Sequence, residues 1–233
     1  SNDPSFELNP KLGKSINLDA FKPLVEVSKR NKVQRFIYAS SSSVYGLKKE
    51  KDITEDILLE PLTDYSKFKM ECEKILLEYN DKDFTCVVIR PATVCGYSPR
   101  QRMDVVVNIL TNLAYHKRKI SVFGGDQLRP NIHIVDMIRA YEFLINASKP
   151  EVSGEIFNAG YENKTVSDLA NTVKKIIGDD VKIDFTKTND NRSYHISSKK
   201  IKNVLNFETT KTIEDAVIDL REAFEKDLLP NSL

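Results

Sequence analysis

Tyr65 and Lys69 stand four residues apart in a stretch with helical periodicity, and an i, i+4 pair shares one helix face. A free tyrosine holds its proton up to a pKa of roughly 10, and a cation within a few ångströms favours the phenolate. Such a pair can turn a phenol into a base near neutral pH. Taken alone, the spacing also suits two ordinary side chains on a helix surface. Upstream, an apolar run ends in Ser40-Ser41-Ser42-Ser43-Val44-Tyr45-Gly46. A hydroxyl just past the carboxyl end of a central strand sits where open α/β sheets bind ligand. A polar loop capping a helix accounts for the same serines more plainly. Strand, serine cluster and Y-x-x-x-K in that order are much harder to obtain by chance than any one of them.

The elements that position these residues follow from periodicity. Strands are predicted at Val33 to Ala39, Phe84 to Ile89, Ile120 to Phe123, Asn131 to Ile134 and Glu155 to Asn158. Helices are predicted over Ile16 to Arg30, Pro61 to Tyr79 (with Pro61 near the start, where a missing N–H costs nothing), Asp104 to His116, Val135 to Ala147 and Thr212 to Phe224. Thr165-Val-Ser-Asp168 reads as a capping box opening a helix through Ile177. Helix and strand alternate, and the first strands are nearly continuous apolar runs. That pattern predicts an α/β fold with a parallel sheet covered on both faces.

Composition narrows the function. The 35 basic residues are balanced by 34 acidic ones without a long basic run, so neither a nucleic-acid nor a membrane-surface footprint is expected. No apolar run reaches bilayer length, and no signal-peptide pattern opens the chain. Cys72, Cys86 and Cys95 lack C-x-x-C spacing, which reads as free thiols in a reducing compartment, with the cytoplasm as default. His116, His133 and His195 are scattered, so no metal is expected; His133 suits a packed strand better than catalysis. None of the eight glycines forms the G-x-G-x-x-G turn that brings backbone to a dinucleotide pyrophosphate.

FIYASSSSVYG, ITEDILLEPLTDYSKFKMECEKIL, VVIRPATVCGYSP, ISVFGGDQLRPNIHIVDMIRAYEFLI, GEIFNAG and KTVSDLANTVKKII together resemble the NAD-dependent epimerase/dehydratase family of extended short-chain dehydrogenases/reductases. The motifs keep the family's order over nearly the whole chain. The resemblance implies a partial Rossmann-like doubly wound parallel sheet with a smaller C-terminal α/β substrate-binding domain. By that analogy residues 1–98 are the remainder of the dinucleotide-binding domain and 99–233 mainly the substrate domain, with 131–160 partly returning to the first. About 70 residues holding the glycine-rich turn would precede Ser1, whose Ser-Asn-Asp-Pro resembles a loop after the family's fourth strand.

The resemblance also implies roles. Tyr65 matches the catalytic tyrosine, Lys69 the lysine on the nicotinamide ribose and Ser41 the residue that binds the substrate hydroxyl. NAD, or NADP, would further meet Ala39, Ser40, Pro91, Ala92 and Val94. Ser42, Thr93, Asn108, Arg129 and Arg192 would meet a nucleotide-diphosphate sugar, the two arginines on its phosphates. Asn108 and Arg192 suit surface roles equally, and Arg100 and Arg102 suit a solvated loop. Ser42 and Ser43 occupy the places of the Asp-Glu pair of sugar 4,6-dehydratases, which disfavours dehydration. The expected activity is that of a UDP-glucose 4-epimerase-like enzyme working by transient oxidation at C4. Alternatives are an NAD(P)H-dependent 4-keto-sugar reductase and a nucleotide-binding regulator without turnover. The family's four-helix dimer contact would use Leu24, Val25, Leu76 and Leu77, which core packing explains as well.

Overall fold

The segment Thr85–Pro91 is buried almost throughout, which a strand achieves only when both faces of its sheet are covered. This computed structural model describes residues 6, 8–48, 50, 52–188, 193, 195–230 and 232. The chain opens with α1 (Pro10–Lys14), a π-helical turn at Ser15–Asp19 and α2 (Phe21–Arg30), then β1 (Arg35–Ala39), α3 (Asp64–Glu78) and β2 (Thr85–Pro91). It continues with β3 (Thr93–Cys95), α4 (Val106–Lys117), β4 (Lys119–Phe123), β5 (Leu128–His133), α5 (Ile134–Asn146), α6 (Lys149–Val152) and β6 (Ile156–Ala159). Then come β7 (Glu162–Thr165), α7 (Val166–Ile177), β8 (Lys182–Thr186), α8 (Lys199–Leu205) and α9 (Ile213–Glu225).

β2 lies between β1 and β6, all parallel, with Phe36 opposite Cys86 and Ile89 opposite Phe157. Its period-two alternation feeds two cores. Cys86 and Val88 join Phe21, Val25 and Leu76 beneath α2 and α3, whereas Val87 and Ile89 join Tyr45, Leu144 and Phe157 beneath α5. Arg35 ties β1 to the end of α5, donating to the carbonyls of Leu144, Ile145 and Ala147. A third core, including Leu110, Ile120, Leu169 and Val217, joins α4, β4, α7 and α9. There β4 and β8 pair in parallel, and β5 joins β3 in parallel and β7 antiparallel.

The helix expected from Asp104 starts at Val106, and Ile134, expected in a strand, opens α5; two other boundaries differ more. The helix expected over Ile16 to Arg30 breaks near Ala20, because Pro23 has no N–H for the Asp19 carbonyl and its ring crowds that group. Pro61 stands outside α3, which begins after Thr63. The Thr63 side chain accepts from the Ser66 N–H, and the Ser66 hydroxyl accepts from the Thr63 N–H. The Thr165–Asp168 capping box forms as expected. Among the described residues, no helix is long and apolar enough to cross a membrane.

Candidate active site

A cavity of about 600 Å³ opens at the carboxyl ends of β1 and β2, where open α/β sheets bind ligand. One wall is made by Ser40–Ser43, Tyr65 and Pro91–Val94. Facing residues come from α4, β4 and β5, among them Ile109, Phe123 and Arg129. The chain therefore brings Ser41, Tyr65 and Arg129, far apart in sequence, to one space.

Local structure explains the serine cluster. Ser41 is extended and caps a 3₁₀ turn at Ser42–Tyr45, its hydroxyl accepting from the Ser43 N–H at 3.1 Å and sharing a hydrogen bond with the Ser43 hydroxyl at 2.9 Å. Capping and a place on the cavity wall thus belong to the same residue. Gly46 ends the turn at φ 71°, where an added Cβ would stand 2.0 Å from the Glu60 carbonyl oxygen. Only glycine fits that position without displacing backbone.

Tyr65 is half-buried on the first turn of α3. One turn on, the Lys69 ammonium donates to the Ala39 carbonyl at 2.7 Å and lies over two rings, 4.8 Å from the centre of Tyr38 and 5.6 Å from that of Tyr65. Burial pulls the Lys69 pKa below its usual value, and Cys72 and Glu73 act in the opposite sense. Behind this wall lies a buried polar network. Glu73 accepts from the Ser40 hydroxyl and takes Arg90 in a two-pronged pair, Nε to Oε1 at 3.0 Å and Nη2 to Oε2 at 2.7 Å. Arg90 also donates to the Tyr45 hydroxyl, which donates to Asn158 Oδ1. Burial pushes the Tyr45 phenol up to about 12, against the Arg90 charge.

Several expected residues have other surroundings. Asn108 is buried away from the cavity lining, its amide accepting from the Gly96 N–H and donating to the Arg102 carbonyl. Ala39 and Lys69 stand beside the lining, joined to each other. Ser42 reaches the cavity but is almost wholly buried. Arg192 lies outside the described residues. Arg102 is exposed, as a solvated loop residue should be, and borders the cavity in an ion pair with Asp104 at 2.9 Å. Val25 and Leu76 are in the core, whereas Leu24 is exposed. The sequence reading missed Glu73, although its place one further turn along the Tyr65–Lys69 face was visible in the spacing.

A profile of the NAD dependent epimerase/dehydratase family matches residues 3–160, and the chain belongs to that family. It is 28% identical over 206 residues, 86% of this chain, to a Bacillus subtilis (strain 168) protein described as an uncharacterized UDP-glucose epimerase. It is 29% identical over 147 residues, 62% of this chain, to the Homo sapiens dTDP-D-glucose 4,6-dehydratase. The chain spans 64% and 41% of the lengths of these two relatives. Among solved structures, the UDP-glucuronic acid 4-epimerase of Bacillus cereus, in complex with UDP-glucuronic acid and NAD, superposes with a TM-score of 0.81 at 27% identity. That match covers 91% of this chain and 68% of the other.

The residues present fit the nicotinamide end of such a cofactor. The cavity volume falls within the roughly 300–1,000 Å³ of small-molecule sites. Its hydroxyl-lined wall and the lysine fixed beside it match what a ribose needs. For the pyrophosphate these 233 residues offer no glycine-rich turn.

Proposed function

We propose that this chain carries the proton-handling and sugar-binding part of a NAD-dependent nucleotide-sugar epimerase of the UDP-glucose 4-epimerase kind. The observation that carries this reading is the shared cavity lined by Ser41, Tyr65 and Arg129. When bound, NAD supplies reversible oxidation of the sugar at C4. The Tyr65 phenolate takes the proton of the C4 hydroxyl and later returns it, while the Ser41 hydroxyl holds that oxygen in place. Lys69, fixed on Ala39, keeps a positive charge beside the phenol, which favours its ionised form. Arg129 takes the diphosphate, as Arg192 does in the same reading, because a guanidinium fork matches phosphate oxygens. Binding energy gathered far from C4 then orients the sugar ring.

Ser42 and Ser43 supply hydroxyls where dehydration needs carboxylates, which supports epimerisation over elimination. The division of the chain follows the site: residues 1–98 serve the cofactor side and 99–233 mainly the sugar, with 131–160 partly returning to the first layer. The reading includes a homodimer formed through α2 and α3, supported by the exposure of Leu24 and Val27 on α2.

The test is to incubate the intact protein with NAD and UDP-glucose, UDP-galactose or UDP-glucuronic acid, and to follow C4 epimers by NMR. Interconversion that disappears in Tyr65→Phe supports the reading. Failure with every UDP-sugar pair, or consumption of NAD(P)H on a 4-keto sugar instead, overturns it.

A further inference from the structure

Tyr65, Lys69 and Glu73 follow one another at i, i+4 and i+8 on α3, so a single helix face presents all three toward the strand ends. Tyr65 borders the cavity, whereas Glu73 is 2% exposed and stands away from the lining. Glu73 nevertheless touches three elements at once. Its carboxylate sits on α3, accepts from Ser40 just past β1 and holds Arg90 near the end of β2. Lys69 and Glu73, one turn apart, thus grip the adjacent residues Ala39 and Ser40.

A buried ion pair adds little net stability, because desolvating both charges offsets most of their attraction, and an apolar pair of similar volume often does as well. What the charged pair adds is direction. Arg90 is fixed through Nε and Nη2 on Glu73, and through Nη1 on the Tyr45 hydroxyl at 2.9 Å and the Glu55 carbonyl at 3.1 Å. A two-pronged guanidinium adds directional contacts to the apolar packing of the helix, and displacements of about 1 Å in a reacting group can cost two orders of magnitude in rate.

We propose that Glu73 is a positioning residue: with Ser40 and Arg90 it locks α3 against the exits of β1 and β2 and so sets where Tyr65 and Lys69 stand. This rests on the reading of the cavity as a catalytic site. Lys69 faces Tyr65, Cys72 and Glu73 from its own helix, and Tyr38 and the Ala39 carbonyl from β1. Glu73 is the carboxylate in that set, so its removal acts on Lys69 with a definite sign. With Glu73 neutral, a charge that favours the Lys69 ammonium is gone, so the lysine loses its proton at lower pH.

The experiment compares the intact wild-type protein with Glu73→Gln and Ser40→Ala by two readouts: steady-state epimerisation of UDP-glucose, and the pH dependence of Lys69 acylation followed by peptide mass spectrometry. For Glu73→Gln, kcat falls at least about tenfold with KM within about threefold, and the Lys69 midpoint moves down. Ser40→Ala removes one hydroxyl without leaving a charge unpaired, and lowers kcat about threefold or more. A structural role alone would loosen and hydrate the helix, moving the Lys69 midpoint up toward the ordinary lysine value with kcat per folded molecule unchanged. That result overturns the proposal. If Glu73→Gln does not fold, Ser40→Ala decides: unchanged kcat refutes the lock. If the wild-type protein turns over no UDP sugar, the functional reading fails and the positioning role falls with it; wild-type turnover with kcat unchanged in both variants overturns the positioning role alone.

Discussion

The Lys69 ammonium donates to the Ala39 carbonyl across 2.7 Å, so the side chain that places a charge beside Tyr65 also ties α3 to the end of β1. Replacing it with Met removes both contributions. In Lys69→Met, turnover falls by about 10²-fold or more, and the acidic limb of the kcat profile moves to higher pH, because the phenol loses the cation that favours its ionised form. An unmoved limb would remove Lys69 from this role.

In the proposed function, Arg129 and Ser41 divide between binding and chemistry. Arg129→Ala raises KM for the nucleotide sugar about tenfold or more while kcat changes less, since the lost contacts are made to the diphosphate throughout. Ser41→Ala does the reverse, lowering kcat about tenfold with a smaller change in KM. Michaelis–Menten analysis of both variants separates the two patterns; a shared pattern would show that the residues do not act at opposite ends of the substrate.

Gly46→Ala is a stability prediction. The substitution needs both a left-handed backbone and space already filled by the Glu60 carbonyl, so a loss of about 3 kcal/mol is expected. For a chain of this size that corresponds to a melting temperature roughly 6–12 °C lower, measurable by calorimetry. A variant as stable as the parent would mean that the backbones at Gly46 and Glu60 can move apart freely.

His133 gives a pH dependence. Its Nδ1 accepts from the Val135 N–H at 3.2 Å, capping α5, and its Nε2 lies 3.1 Å from Asp219 Oδ2. Burial lowers its pKa below the ordinary 6.5, although Asp219 pulls the other way. The unfolded chain therefore binds this proton more readily, and His133 favours folding fully above pH 6.5. That contribution is lost as the pH falls from there through the lower folded pKa, because a proton on Nδ1 would oppose the Val135 N–H. Urea melts between pH 7 and 5 should show falling stability, and His133→Gln should flatten the slope.

The thiols should be silent. Burial pushes Cys72 up to about 11 and Cys86 and Cys95 up to about 12, so none is a thiolate at neutral pH. A thiol reagent should label the native protein slowly and count three sites only after denaturation. Rapid labelling of the native protein would contradict the burial of these side chains.

Much of the fold and of the cavity wall is legible in the sequence alone. The strands of the parallel sheet announce themselves because both faces are buried, and Tyr65, Lys69 and the serine cluster by order and spacing. Short elements such as β3, β7 and β8 were not, because their pairing depends on partners distant in sequence: Thr93 opposite Asn131, Leu128 opposite Thr165 and Lys119 opposite Lys182. Asn108 is a related case. Its type suits a ligand contact, but only the folded loop shows that the Gly96 and Arg102 backbone already satisfies its amide. Glu73 escaped notice because a buried carboxylate is intelligible only once its Arg90 partner is known.

The cavity's two walls rest on different cores. Ala92 and Val44 root one wall in the core shared with Phe157, while Leu110 and Val166 root the other among Leu169 and Val217. Changes that reshape the second wall need not disturb the first. If the cavity takes a sugar as proposed, substitutions around α4 and α7 can retune its fit while Tyr65 and Lys69 keep their places on the other wall.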